Sequence, residues 1–249
     1  MTSALVSILK ALASISTLVM FISPGPSVLR IHKTKTIGEV SIFPLVSLWG
    51  SSHTWMMYGL LSGDIFPLFI TCAIGQAFAL LFIAVYYYHT LEKEYARKMI
   101  GAVAAFVSLI IVYAVLGRAG VTEQSHHNVG QSVGYVGMVV SVVLNASPFE
   151  SIKDVVKAKS ASSIPILFCL AGVVSNMIWV AYGLVADDLV IAVPNAACAL
   201  FGVVQVALYV IYNPHQSSSR KQHLLPVSVG IPMPSGRSAD FKPIESPLV

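Results

Sequence analysis

Long apolar runs separated by short polar breaks organise this chain, with neither the two-residue alternation of a half-buried strand nor a narrow amphipathic stripe. A bilayer core of roughly 30 Å takes about 20 apolar residues of helix. Seven stretches reach that length, near residues 4–29, 39–61, 65–88, 98–117, 130–151, 163–185 and 188–212. The pattern predicts an all-α integral membrane protein with seven transmembrane helices. Past Pro214 the sequence turns to Ser, Pro, Gly and scattered charge, as in Ser217-Ser218-Ser219-Arg220-Lys221. Such a stretch cannot bury enough apolar surface to fold, so 214–249 is expected to be a disordered cytosolic tail.

Composition agrees. The chain has 249 residues, 56% of them hydrophobic and only 10% charged, where soluble domains carry about 25% charged residues. Cys72, Cys169 and Cys198 all lie in apolar stretches, so neither a disulfide framework nor a zinc-finger spacing is available. The N-terminus lacks a compact basic region with a cleavage site, and the first apolar stretch is read as retained.

The basic residues fix a topology. Arg30, Lys33 and Lys35 follow helix 1, Lys93, Arg97 and Lys98 follow helix 3, and Lys153, Lys157 and Lys159 follow helix 5; Arg220, Lys221, Arg237 and Lys242 lie in the tail. Thirteen of the fifteen thus share one side, leaving Lys10 and Arg118 elsewhere. The positive-inside rule makes that side cytosolic and places the N-terminus outside. The opposite loops are acidic, with Asp64, Asp187 and Asp188.

The chain repeats itself at an offset of 124 residues. Ser23-Pro24 recurs as Ser147-Pro148, and Lys33-x-Lys35-Thr36 as Lys157-x-Lys159-Ser160. Ser51-x3-Trp55-x2-Tyr58-Gly59-Leu60 recurs as Ser175-x3-Trp179-x2-Tyr182-Gly183-Leu184, and Pro44 answers Pro165 after a small change of loop length. Each repeat holds three helices, an odd number, so two in direct succession would insert upside down relative to each other. The fourth helix carries none of the shared motifs and turns the chain once more, so both repeats lie the same way up. The expected organisation is a first repeat over 1–90, a linker helix with flanking loops over 91–125, a second repeat over 126–213 and the tail. Parallel repeats of this kind are related by an axis along the membrane normal, with substrate near the midplane between them.

The residues themselves leave several roles open. Pro24, Pro44, Pro148 and Pro165 fall toward the basic ends of helices 1, 2, 5 and 6, as kinks or as hinges. Trp55 and Trp179 could stack on a sugar's C–H face or sit at the membrane interface. Ser51 and Ser175, one turn before each tryptophan, could bond substrate or allow close helix packing. Asn195, deep in helix 7, must face the bundle interior, as a ligand or as interhelical glue. Met20 and Leu144, four residues before the helix 1 and helix 5 prolines, either set pocket width or pack. Tyr58, Asp64, Tyr182 and Asp188 lie at the outer ends as a gate or as interface anchors. His53 and Asn176 lack repeat partners, and a lone buried histidine is more often a core residue. Asn145-Ala146-Ser147 spells a glycosylation sequon inside helix 5 and is discounted, and Lys10 is expected to snorkel outward.

The whole set resembles the SWEET family of sugar transporters over about residues 10–212. The resemblance is carried by Ser-Pro, Lys-x-Lys-[Thr/Ser], the two Trp-x-x-Tyr-Gly-Leu ends, and Val193-Pro194-Asn195 leading to Gly202 and Gln205. It implies the 3+1+3 parallel-repeat architecture, hinge roles for the four prolines in alternating access, tryptophans in the pocket and a substrate asparagine at Asn195. Where the family usually carries a second asparagine this chain has Cys72, matched by reading Asp64 to Cys72 against Asp187 to Asn195. A thiol there would leave the site polar on one side, unless Thr71 compensates. Cys198 stands where glycine is usual.

No Asp or Glu falls mid-helix, so no intramembrane carboxylate is at hand for proton coupling, which favours uniport of mono- or disaccharides. No nucleophile triad, phosphate loop or metal cluster supports an enzyme, and no cofactor is expected. The implied partners are a sugar and the lipid bilayer, with a homo-oligomer left open and no nucleic acid. Three rival readings exist. A retinal protein or seven-helix receptor conflicts with the repeat and with a helix 7 lacking lysine. A PQ-loop carrier of another metabolite lacks its Pro-Gln pair here, since Leu45 and Ile166 follow Pro44 and Pro165. A family member with transport impaired by Cys72 remains. The expected location is the plasma membrane or an endomembrane.

Overall fold

The computed structural model describes residues 3–38, 40–146 and 166–212, with side chains outside 3, 142–146 and 167–168. Pro148, Pro165, the basic loop between them and the tail lie outside the described residues, as does the side chain of Leu144.

The fold is all-α: seven membrane spans, arranged as two parallel three-helix repeats joined by a linker helix. The first span is α1 (Ser3–Ile22) followed by α2 (Gly25–Thr34). Ser23-Pro24 separates them, because proline at the α2 N-cap offers no N–H to α1. The span therefore runs past the expected end to Thr34, where Lys35 adopts a left-handed φ of 59° and its N–H caps the Ile31 carbonyl. The second span, α3 (Phe43–Ser62), starts later than the sequence suggested. Pro44 sits in its first turn, where a missing N–H breaks no helical bond. A π-helical turn, Ile65–Phe69, leads into α4 (Ile70–His89) as the third span. The linker is α5 (Lys93–Arg118), the fifth span is α6 (His126–Ala146), and α7 (Ile166–Val185) and α8 (Leu189–Ile211) complete the second repeat.

Among the described residues, Ala4–Thr34, Ile65–His89, Lys93–Arg118 and Leu189–Ile211 are long and apolar enough to cross a membrane on length and composition alone. The mean hydropathy of α3 is lowered by the consecutive Ser51, Ser52, His53 and Thr54, and that of α6 by His126, His127, Asn128 and Gln131. Around the bundle, leucines and valines face outward, with Leu109 at 69% exposure, Val139 at 63% and Leu200 at 62%. An apolar girdle of that kind requires lipid rather than water.

The repeats meet through α1 against α7 and α3 against α6, two interfaces related by the internal symmetry. The linker packs on α3 and α6, where Gly117 admits Val129; a methyl on that glycine would stand 2.6 Å from the valine. One buried core, around Tyr58, Cys72, Trp179, Tyr182 and Ile191, joins the repeats toward the acidic end. A second, around Ile31, Val46, Phe82 and Tyr86, lies toward the basic end of the first repeat.

The repeated Tyr-Gly-Leu has a steric cause. A Cβ on Gly59 would lie 2.8 Å from the Phe69 backbone nitrogen, and one on Gly183 2.8 Å from that of Ala192. In each repeat the tyrosine-bearing helix is crossed by the start of the next span, and only glycine leaves room.

Candidate functional site

Between the repeats lies a cavity of about 250 Å³. From α1 it receives Thr17, Met20 and Phe21, from α3 Ser51, Ser52 and Trp55, and from α4 Cys72. The second repeat supplies Gly172, Ser175, Asn176 and Trp179 from α7, and Asn195 from α8. Seven residues picked from the sequence as candidate substrate ligands, Met20, Ser51, Trp55, Cys72, Ser175, Trp179 and Asn195, therefore border one space. Thr17, Phe21, Ser52 and Gly172 were not singled out.

Local bonds aim these groups. The Asn195 amide nitrogen donates to the Ile191 carbonyl at 2.7 Å and that of Asn176 to the Gly172 carbonyl at 2.8 Å. Pro194, one residue earlier inside α8, withholds its own helical N–H. Ser175 Oγ donates to Ser16 Oγ at 3.1 Å, linking α7 to α1. The Ser52 hydroxyl is buried with no protein partner among the described residues, while its residue lines the cavity. Phe21 forms a wall because Gly75 lacks a side chain; a Cβ there would fall 2.1 Å from the phenyl ring.

Cys72 is 4% exposed. Thr71 does not substitute for the missing amide, since its hydroxyl donates to Ser14 at 2.9 Å, away from the cavity. His53, next to Ser52, turns from the cavity and meets Gln76 through Nδ1 at 2.9 Å.

The tryptophans are held by the opposite repeat. Trp55 Nε1 donates to Ser141 Oγ at 3.1 Å, and Trp179 Nε1 to Thr17 Oγ1 at 2.6 Å. One turn further toward the acidic end, Tyr58 donates to Asp188 Oδ2 at 2.7 Å and Tyr182 to Asp64 Oδ2 at 2.7 Å. Both bonds span the repeats, one turn beyond the tryptophans that border the cavity. The second Asp188 oxygen also caps α8, accepting from the N–H groups of Val190 and Ile191.

These pairings correct the alignment read from the sequence. The counterpart of Asp64 is Asp188, not Asp187, because each of the two accepts the tyrosine of the other repeat. Asp64 lies eight residues before Cys72 and Asp188 seven before Asn195, and the π-helical turn Ile65–Phe69 takes up the extra residue. Cys72 and Asn195 still face the same cavity.

Lys10 lies at the acidic end. It borders a cleft of about 430 Å³ with Asp64, Tyr182 and Asp188. Burial pushes the Asp64 carboxyl above its ordinary value; the Tyr182 hydrogen bond and the Lys10 charge pull the other way, and the Asp188 charge adds to the rise. A larger cleft of about 820 Å³ opens between α3, α6 and α8, beside Tyr58, His127, Gln131 and Asp187. The candidate site is the smaller cavity, where both indoles and the amides of both α7 and α8 converge.

Comparison with known proteins fits this geometry. The family model described as "Sugar efflux transporter for intercellular exchange" matches twice, over residues 7–94 and 131–217, once per repeat and omitting most of the linker. This chain belongs to the SWEET family. It is 31% identical over 199 residues to the bidirectional sugar transporter SWEET4 of Oryza sativa subsp. indica, covering 79% of this chain and 76% of that one. To the sugar transporter SWEET1 of Drosophila pseudoobscura pseudoobscura it is 24% identical over 230 residues, covering 92% of this chain and 99% of the relative. A solved eukaryotic SWEET transporter superposes with a TM-score of 0.70 at 24% identity, over 83% of this chain and 96% of that one. That likeness supports the SWEET fold.

Proposed function

We propose that this SWEET protein is a facilitative sugar uniporter that works by alternating access around the cavity between its repeats. The observation that carries the reading is the pairing of Trp55 and Trp179 at one small cavity that mixes apolar walls with hydroxyls and amides, with two cross-repeat Tyr–Asp bonds one turn beyond it. Indole faces suit the C–H faces of a pyranose, while Ser51, Ser175 and the Asn195 amide take hydroxyls. At about 250 Å³ the cavity lies just under the roughly 300–1,000 Å³ of drug-sized ligand sites, which favours a monosaccharide over a disaccharide. Met20 on α1 sets the width.

In this reading Tyr58, Asp64, Tyr182 and Asp188 are the outer gate, and Pro24, Pro44, Pro148 and Pro165 are the hinges of the basic, cytosolic half. In the same reading the N-terminus lies outside and the tail in the cytosol, which the clustering of lysine and arginine supports. Residence in the plasma membrane or an endomembrane, and assembly as a homo-oligomer, belong to the same proposal. The deciding experiment is uptake of labelled glucose, fructose and sucrose in cells lacking their own transporters, with and without a protonophore. Saturable monosaccharide uptake that survives the protonophore is expected; loss of uptake under the protonophore would overturn uniport.

A second reading, weakened transport retained for a regulatory role, is favoured by one observation. Cys72 faces the cavity and Thr71 is committed to Ser14, so α4 offers no amide to the substrate.

A further inference from the structure

We propose that Thr17 and Ser141 are positioning residues that couple the central cavity to the closure at the acidic end, each by holding the tryptophan of the opposite repeat. The inference rests on the alternating-access reading above but not on the identity of the sugar.

Two chains of contacts carry it. In one, Thr17 accepts the Trp179 indole N–H at 2.6 Å, the Trp179 and Tyr182 rings meet edge to face with centroids 5.8 Å apart at 83°, and Tyr182 donates to Asp64 at 2.7 Å. In the other, Ser141 accepts the Trp55 indole N–H at 3.1 Å, the Trp55 and Tyr58 rings meet at 5.9 Å and 86°, and Tyr58 donates to Asp188 at 2.7 Å. Every member has its counterpart at the same 124-residue offset: Thr17 and Ser141, Trp55 and Trp179, Tyr58 and Tyr182, Asp64 and Asp188. A chance packing contact has no reason to obey that offset at four successive positions.

The direction of each chain matters. A hydroxyl of one repeat holds a tryptophan of the other, and the tyrosine of that second helix returns to an aspartate of the first repeat. Each chain therefore pins the repeats together at two heights, beside the cavity and at the acidic end. The indole N–H is a donor only, and leaving it unpaired in a low-dielectric interior is costly. Edge-to-face contact makes the tilt of each indole set the plane of its tyrosine. Opening the acidic end thus requires four cross-repeat bonds to break rather than two. A ligand in the cavity that competes for the Thr17 hydroxyl, or displaces the Trp55 indole that Ser141 holds, releases an inner bond and so loosens the outer one. Thr17 and Ser141 are the means by which occupancy of the site is felt at the gate.

The native Cys72 thiol supplies the test, because it lines the cavity. In the full-length chain with Cys169→Ala and Cys198→Ala, modification of Cys72 by a membrane-impermeant methanethiosulfonate is followed in right-side-out and inside-out vesicles. Thr17→Val and Ser141→Ala should each speed labelling from the acidic-face side about fivefold, the worth of one hydrogen bond, and Thr17→Ser should restore the original rate. Thr17→Val with Tyr182→Phe, members of one chain, should accelerate labelling by less than the product of the single effects. Thr17→Val with Tyr58→Phe should give the product. Unchanged labelling in Thr17→Val and Ser141→Ala, alongside faster labelling in Tyr58→Phe and Tyr182→Phe, would overturn the proposal. Should no sugar be taken up by the parent chain, the uniport reading fails while the labelling ratios still decide the coupling.

Discussion

The Tyr58 hydroxyl, in the first repeat, donates to the Asp188 carboxylate, in the second, at 2.7 Å. Hydrogen bonds to a charged acceptor contribute about 1.5–3 kcal/mol, and this one stabilises only the arrangement in which the acidic ends of α3 and α8 are together. Tyr58→Phe keeps the ring that packs on Trp55 and removes the donor alone. It should favour the form open at the acidic end by at least tenfold. A double-mutant cycle with Asp188→Asn, scored by Cys72 labelling, should be strongly non-additive; additive effects would mean the two act separately.

Acid should slow the exchange cycle at its opening step. Asp64 faces Tyr182, Lys10 and Asp188, and burial raises its carboxyl above the ordinary value of 3.8. On opening, water returns and that rise relaxes. The closed form therefore binds a proton more readily than the open one, and lowering the pH through the window just above 3.8 stabilises the closed form. Uptake measured against pH on the acidic-face side should fall in that window, and Asp64→Asn should flatten the profile there. A parent profile that rises with acid would contradict the sign.

Trp55→Ala and Asn195→Ala should each reduce uptake by at least tenfold at a fixed sugar concentration while leaving the amount of membrane-inserted protein unchanged. Both side chains border the cavity; Trp55 is half-buried at the edge of the core and Asn195 is not part of it. Full activity in both variants would remove the site from this cavity.

Gly59→Ala and Gly183→Ala test the fold rather than the site. The added methyl would meet backbone nitrogen at 2.8 Å in each repeat, and backbone cannot swing aside as a side chain can. Overpacking costs about 1–3 kcal/mol, so thermal unfolding in detergent should move down by several degrees. Gly101→Ala, with open space around its Cβ position, is the matched control and should leave the transition where it was.

Much of this arrangement was legible because periodicity acts twice in the chain. Apolar run length marked the spans, and the 124-residue offset brought Ser51, Trp55, Ser175 and Trp179 to one cavity. What escaped has particular causes. The π-helical turn at 65–69 has no hydropathy signature; it adds one residue without changing polarity, which is why Asp64 was matched with Asp187. Pro44 was placed inside helix 2 rather than in its first turn because the apolar run begins ahead of the true helix start at Phe43. Lys10 reads as a snorkelling end residue, and only the fold shows that it shares a cleft with Asp64. Thr17 could have been found, since the same offset carries it to Ser141, but hydroxyls are common on membrane helices and neither stands in a motif.

The sharpest question concerns Cys72. Its sulfur borders the cavity opposite a second-repeat wall that bears the Asn176 and Asn195 amides, and α4 presents no other polar group to that space. Cys72→Asn would add an amide able to donate and accept toward a sugar hydroxyl, at the cost of some cavity volume. If lack of that amide limits binding, the variant should lower KM about fivefold, the worth of one net hydrogen bond, with kcat little changed, because the gate contacts stay intact. Cys72→Ala should leave KM near its original value, since a buried thiol contributes little hydrogen bonding. A Cys72→Asn variant with raised KM and unchanged surface level would show instead that the cavity is already filled by its sugar, and that cysteine was needed there for room.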